Sequence, residues 1–128
     1  MNALCWNCRG LGKAATIREI RKFTNKFAPT LMCVVETQID GTRVEASVGS
    51  FGYDNGYAID SQGRSGGIGV FWNNEIKLEI LGYSVYHIDC SMTEPGMDPW
   101  RLTVVYGEAQ THLRSQTWDT LKNLSTSN

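Results

Sequence analysis

No stretch of this chain approaches the roughly 18 consecutive apolar residues that a membrane span needs. Its start, Met1-Asn2-Ala3-Leu4-Cys5-Trp6-Asn7, lacks the basic leader and apolar run of a secretory signal. Those two absences lead us to expect an intracellular, non-secreted protein of nucleus or cytoplasm, with no membrane partner. Neither sign of charge is in excess, since 12 Lys+Arg against 13 Asp+Glu leave a net charge of −1. A histone-like protein that captures nucleic acid by bulk charge is thereby excluded. Cys5-Trp6-Asn7-Cys8 has no second C-x-x-C and no H-x-x-x-H to complete a zinc site. The four cysteines, at 5, 8, 33 and 90, read best as small, reduced core residues. A phosphate loop of the form G-x-x-x-x-G-K-[ST] fails too, with Asn7 in place of the first Gly and Ala14 in place of the hydroxyl.

What is present fits one globular domain: 128 residues, 41% hydrophobic and 20% charged. The balanced total hides an asymmetry. Residues 1–28 carry Arg9, Lys13, Arg18, Arg21, Lys22 and Lys26 against the single acid Glu19, whereas residues 65–128 are net acidic. The basic run is either a solvated helix face or a phosphate-attracting flank.

Hydrophobic spacing divides the chain. Ala3–Trp6 reads as a buried strand stopped by Asn7, Gly10 and Gly12. From Thr16, the apolar Ile17, Ile20, Phe23 and Phe27 recur at helical spacing until Pro29 forbids continuation. Leu31–Val35 is a second buried strand ending at Glu36. Strand, helix and strand form a βαβ-like unit, right-handed if the strands are parallel. Thr42 is expected to cap a short helix carrying Val44 and Val48. Five β-rich runs follow: Tyr53–Ile59, Gly67–Trp72, Ile76–Leu81, Tyr83–Cys90 and Trp100–Tyr106. Gln62–Gly67 and Asn73-Asn74 are expected as hairpin connections. Leu113, Trp118, Leu121 and Leu124 suggest a last amphipathic helix before a polar tail at 125–128.

Polar residues that end buried strands are the candidate chemistry: Asn7, Glu36 and Tyr106. Neighbouring strand ends can converge on one rim, where a carboxylate suits a hard cation and neutral donors suit a phosphate. On spacing alone, ordinary strand punctuation is the better explanation of the same three residues. His87 and His112 lack any metal or triad spacing, and Trp6, Trp72, Trp100 and Trp118 are dispersed as core residues are.

Four strings carry a resemblance: Leu4-Cys5-Trp6-Asn7-Cys8-Arg9-Gly10-Leu11-Gly12; Pro29 through Val35-Glu36-Thr37; Gly63-Arg64-Ser65-Gly66-Gly67-Ile68-Gly69-Val70-Phe71-Trp72; and Leu102-Thr103-Val104-Val105-Tyr106-Gly107. With Arg114 and Trp118-Asp119, they resemble the N-terminal half of an endonuclease/exonuclease/phosphatase domain. The likeness is nearest to endonucleases of plant LINE-type (non-long-terminal-repeat) retrotransposons. It implies an α/β fold of the α+β kind, a partial four-layer α/β/β/α sandwich with mixed sheets whose C-terminal half is missing. Residues 1–124 would form that half-domain. It also implies DNA as partner and Mg²⁺-dependent phosphodiester hydrolysis. Glu36 matches the metal-ligating glutamate, Asn7 the asparagine that organises metal and phosphate, and Tyr106 the tyrosine at the scissile phosphate.

The family's later G-D-x-N and Ser-Asp-His motifs do not occur before Asn128. We therefore expect weak binding of Mg²⁺ (or Mn²⁺) and a chain inactive by itself. It would be a truncated enzyme, with two alternatives: a non-catalytic nucleic-acid-binding or interaction module using the basic first helix, or a half-enzyme completed in trans. A missing part of the second sheet would leave Leu4, Val34, Ile68, Val70, Leu102 and Val104 facing water or each other, and favour self-association through an exposed sheet face.

Overall fold

Short runs of apolar residues closed by polar or glycine-rich turns become strands here, and the one long 3.6-residue periodicity becomes the principal helix. The computed structural model describes residues 2–63 and 65–106. In order, they form β1 (Ala3–Asn7), α1 (Ala14–Phe27), β2 (Leu31–Val35), α2 (Gly41–Ala46), a 3₁₀ turn (Gly49–Phe51), β3 (Asn55–Ile59), β4 (Ile68–Trp72), β5 (Lys77–Ser84), β6 (His87–Thr93) and β7 (Trp100–Val105). The expected helix around Leu113–Leu124 and the polar tail lie outside the described residues.

Two sheets result. The first has the order β1-β2-β4-β3, and the second is β5-β6-β7. β1 and β2 pair in parallel, with Ala3 opposite Leu31 and Asn7 opposite Val35, so β1-α1-β2 is the expected crossover unit. The other pairings are antiparallel, making the first sheet mixed.

Alternation along β2 assigns the faces. Met32 and Val34 join Leu11, Ile20, Val44, Phe51 and Phe71 in a core beneath the helices. Leu31 and Cys33 point the other way, into a core shared with Ile68, Val70, Ile88, Met92 and Val104 between the sheets. The described residues thus form three layers: helices, mixed sheet, antiparallel sheet. Phe71 lies fully buried, with the Phe51 ring edge-on at 5.6 Å and Tyr53 at 6.2 Å. No helix among the described residues is long and apolar enough to cross a membrane.

Several expectations are corrected. Val34 is fully buried beneath the helices, while Ile68 and Val70 are fully buried and Val104 nearly so because β5–β7 and the β2–β4 face close on each other. The inter-sheet side of β1 is open instead: Ala3, Cys5 and Asn7 are exposed. Cys5 is therefore not a core residue, although Cys8, Cys33 and Cys90 are buried. β5 and β6 run as Lys77–Ser84 and His87–Thr93; Gly82 does not end a strand, because a bulge between Ile80 and Gly82 absorbs it. Asn73-Asn74 makes no hairpin, since β4 and β5 belong to different sheets. The cap of α2 is Asp40, not Thr42: its carboxylate accepts from the Arg43 N–H at 2.9 Å.

Candidate phosphate site at the carboxyl rim

The carboxyl ends of β1, β2 and β7 and the loop leading into β4 meet at one rim. Backbone hydrogen bonds knit it together: Cys8 N–H donates to Val35 O at 3.0 Å, Gly10 N–H to Glu36 O at 2.8 Å, and Leu11 N–H to Thr37 O at 2.8 Å. From the other side, Thr37 N–H donates to Gly67 O at 3.3 Å and Gln38 N–H to Gly66 O at 2.9 Å. The segment after β2 is thus clamped between the loop after β1 and the loop before β4.

That clamping holds unusual backbone. Arg9, Glu36 and Gln38 adopt positive φ of 47°, 58° and 59°. Such conformations cost a non-glycine residue about 1–2 kcal/mol each. For Glu36 the result is a re-aimed side chain. Strict alternation after Val35 would send its side chain toward the helices, but the left-handed turn goes with a side chain on the inter-sheet side. There, Tyr106 donates its hydroxyl to Glu36 Oε1 at 3.1 Å, across a separation of 70 residues.

Tyr106 is fixed in turn. Its N–H donates to Tyr86 O at 2.8 Å, and its ring packs in the inter-sheet core. Gly66 lies against that ring; a Cβ there would sit 3.7 Å from Tyr106 Cε2. Gly67 is more constrained. At φ +94°, a Cβ would come within 2.0 Å of Thr37 Oγ1, so only glycine fits. Thr37 is fully buried, and its Oγ1 has no hydrogen-bond partner among the described residues.

Of the three expected site residues, the structure joins Glu36 and Tyr106 directly. Asn7 is placed on the adjacent strand end, opposite Val35 and on the same inter-sheet face. Its exposed side chain makes no hydrogen bond among the described residues. Carboxylate and carboxamide oxygens form a hard donor set suited to Mg²⁺ or Mn²⁺. Among the described residues, no three His, Cys, Asp or Glu side chains converge to form a fuller cation cage. Burial pushes the Cys8 thiol beside this loop up to about 11, and its Sγ donates to Val35 O at 3.3 Å. It is a packed thiol rather than a nucleophile.

A second polar cluster escaped the sequence reading. On the outer face of the second sheet, Asp89 is almost fully buried, and the Arg101 guanidinium donates Nε–H to Oδ1 at 2.9 Å and Oδ2 at 3.1 Å. Thr103 Oγ1 donates to Oδ1 at 3.3 Å. Hydrogen bonds from Arg101 hold the Asp89 carboxyl below its usual range. Nearby, His87 Nδ1 lies 2.6 Å from Ser84 Oγ, and burial lowers the histidine's pKa. Period-2 placement of His87, Asp89, Arg101 and Thr103 was the signal available for this network. His112 and Trp118 lie outside the described residues.

Comparison with known proteins agrees with this architecture. The sequence matches the profile of the Endonuclease/Exonuclease/phosphatase family over residues 4–126, and the chain belongs to that family. No curated protein sequence matches it. Among solved structures, an AP endonuclease from Leishmania major superimposes with a TM-score of 0.63 at 18% identity, covering 94% of this chain and 46% of that one. A 3'-5' exonuclease from Neisseria meningitidis gives 0.65 at 14% identity, covering 98% and 51%. A 3' phosphatase from Neisseria bound to a product DNA hairpin gives 0.65 at 13% identity, covering 98% and 51%. The chain spans about half the length of each of these structures.

Proposed function

We propose that the carboxyl rim is one part of a DNA phosphodiester-hydrolysing site, with Glu36 as the residue toward a divalent cation and Asn7 and Tyr106 as residues toward the phosphate. The observation that carries the reading is the Tyr106–Glu36 hydrogen bond, made where a strained backbone re-aims a carboxylate that alternation would have hidden. When bound, Mg²⁺ or Mn²⁺ supplies charge neutralisation at the phosphate oxygens. The chain's own residues orient. Tyr106 spends its single proton on Glu36 Oε1, which fixes the carboxylate plane. A phosphate oxygen, which only accepts, competes for that proton. Asn7, with its amide uncommitted, offers N–H donors to a phosphate and an oxygen to a cation.

We place residues 1–124 as the half-domain and the lineage nearest to plant LINE-type retrotransposon endonucleases, on the four sequence strings given above. Among the described residues the donor set is sparse, and we propose weak cation binding and negligible turnover by this chain alone, because general acid–base help typically contributes about 10²–10⁴-fold.

The basic helix supports a second reading, a nucleic-acid-binding module. Arg9, Lys13, Arg18, Lys22 and Lys26 make no ion pair among the described residues, and all five are exposed.

Binding is tested with a duplex oligonucleotide, and cleavage with supercoiled or abasic DNA. Binding should weaken with salt, with a log–log slope of about −4.5 if five cations engage phosphates. Lys22→Glu with Lys26→Glu should flatten that slope by about 2. With Mg²⁺ and supercoiled or abasic DNA, nicking should not exceed a Glu36→Ala control. Robust Glu36-dependent nicking would overturn the inactivity of the chain, and salt-insensitive or absent binding would overturn the nucleic-acid reading itself.

A further inference from the structure

A second concavity, about 420 Å³, opens between the edge strands β3 and β5. Tyr57, Ile59, Asp60, Gln62, Tyr83 and Val85 line it. It faces the same rim as Glu36. β3 ends there beside the start of β4, where Ile59 pairs with Ile68 and Ile68 with Val35. The wall formed by the β5–β6 turn continues into Tyr86, whose carbonyl accepts the Tyr106 N–H, and the Tyr106 hydroxyl meets Glu36. Two hydrogen bonds therefore separate the groove wall from the candidate site.

Its chemistry differs from that of the basic helix. The Tyr57 and Tyr83 rings lie 5.9 Å apart with an interplanar angle of 59°, and Tyr83 is 63% exposed, so its ring face stays open to solvent. Burial, and then the neighbouring Tyr83, raise the Tyr57 hydroxyl above its ordinary pKa, so this ring stays neutral. Among the described lining residues there is no cation, and the one charge is the Asp60 carboxylate, whose Oδ1 already accepts the Gly41 N–H at 2.6 Å. A phosphate is repelled here. A flat neutral ring with N–H donors at its edge is accommodated, stacked on tyrosine and hydrogen-bonded to Gln62 or the remaining carboxylate oxygen.

We propose that the Tyr57–Tyr83 groove is a base-stacking subsite that takes the nucleobase of a nucleotide flanking the phosphate at Glu36. The proposal rests on the nucleic-acid reading above and specifies where a base, rather than the backbone, is held.

The test compares a fluorescent single-stranded oligothymidylate with an abasic oligomer of equal length, by anisotropy. The wild-type chain should prefer the base-containing oligomer by about 10-fold. Tyr83→Ala should erase the preference while leaving abasic affinity unchanged, and Tyr83→Phe should keep it. Because Tyr83 is mostly exposed, the alanine variant should melt as the parent does; circular dichroism checks this. Equal binding of both oligomers, or a preference that survives Tyr83→Ala, overturns this inference alone. Binding of neither oligomer overturns the nucleic-acid reading and this inference with it. A dimer in sedimentation that Tyr83→Ala dissociates would assign the groove to a second copy, and overturn the proposal.

Discussion

At the amino ends of β1 and β2 the molecule carries a concavity of about 680 Å³, lined by Asn2, Thr30, Glu75, Ile76, Glu94 and Pro95. At the carboxyl ends lie the smaller groove of about 420 Å³ and the Glu36–Tyr106 pair. The larger hollow is bordered by ordinary chain. The one positive-φ non-glycine residue near it, Ala28, closes α1, and its N–H donates to Thr24 O as helix ends commonly do. At the carboxyl rim, three non-glycine residues are strained with no helix end to account for them. The two hollows differ in backbone, not only in volume: the smaller one adjoins the strained, interlocked segment. Strain retained by interlocking backbone bonds, together with convergence of distant residues, sets the carboxyl rim apart.

Substitutions can break that contrast. The largest effect is expected at Gly67→Ala, where the new Cβ meets Thr37 Oγ1 at 2.0 Å on a backbone of φ +94°. We expect a loss of about 3 kcal/mol or more in urea unfolding. Gly49→Ala, away from the rim and with nothing within 4 Å of the added Cβ, should stay within about 1 kcal/mol of the parent. Comparable losses at both positions would remove the special status of the rim.

Alkaline pH comes next. Burial raises the thiols of Cys33, Cys8 and Cys90 to about 12, 11 and 11. Their folded values exceed the unfolded one, so their contribution is complete below about pH 8.5 and is lost as pH rises through that value toward 11–12. Urea midpoints should therefore fall above about pH 9. Cys33→Ala and Cys8→Ala should each make that fall shallower than in the parent; a slope identical to the parent's in both variants would contradict it.

The smallest effect is a gain. Thr37→Val removes a buried hydroxyl without a partner among the described residues and keeps the side-chain shape. It should stabilise the protein by about 1 kcal/mol, read as a raised urea midpoint. A loss of similar size would mean that the hydroxyl is engaged.

The βαβ unit was legible because hydrophobic period alone specifies it: four apolar positions on α1 and two short runs flanked by Asn7 and Glu36. The partition of later strands between two sheets was not legible. Asn73-Asn74 is as good a hairpin signal as any, and only packing decides that β5 leaves for the second sheet. Likewise Gly82 resembles a strand end, but a bulge spends it within β5. At the site, residue type marked Glu36, Asn7 and Tyr106. The turn that brings Glu36 to Tyr106 depends on Gly66, Gly67 and the carbonyl of Tyr86, which are backbone features without a side-chain signature. Apolar strand residues do not lose cover together: Ile68 and Val70 are covered by β5–β7, whereas Ala3, Cys5 and Asn7 of β1 are exposed.

We propose that the carboxyl rim, not the larger hollow, holds a cation and a phosphate. Substoichiometric Mn²⁺ added to ¹⁵N-labelled protein reads this directly through paramagnetic broadening of amide signals. Broadening should appear first at Asn7, Glu36, Gln38 and Tyr106, and should disappear in Glu36→Ala. Broadening centred instead on Glu75 and Glu94, or unchanged by Glu36→Ala, would contradict the account.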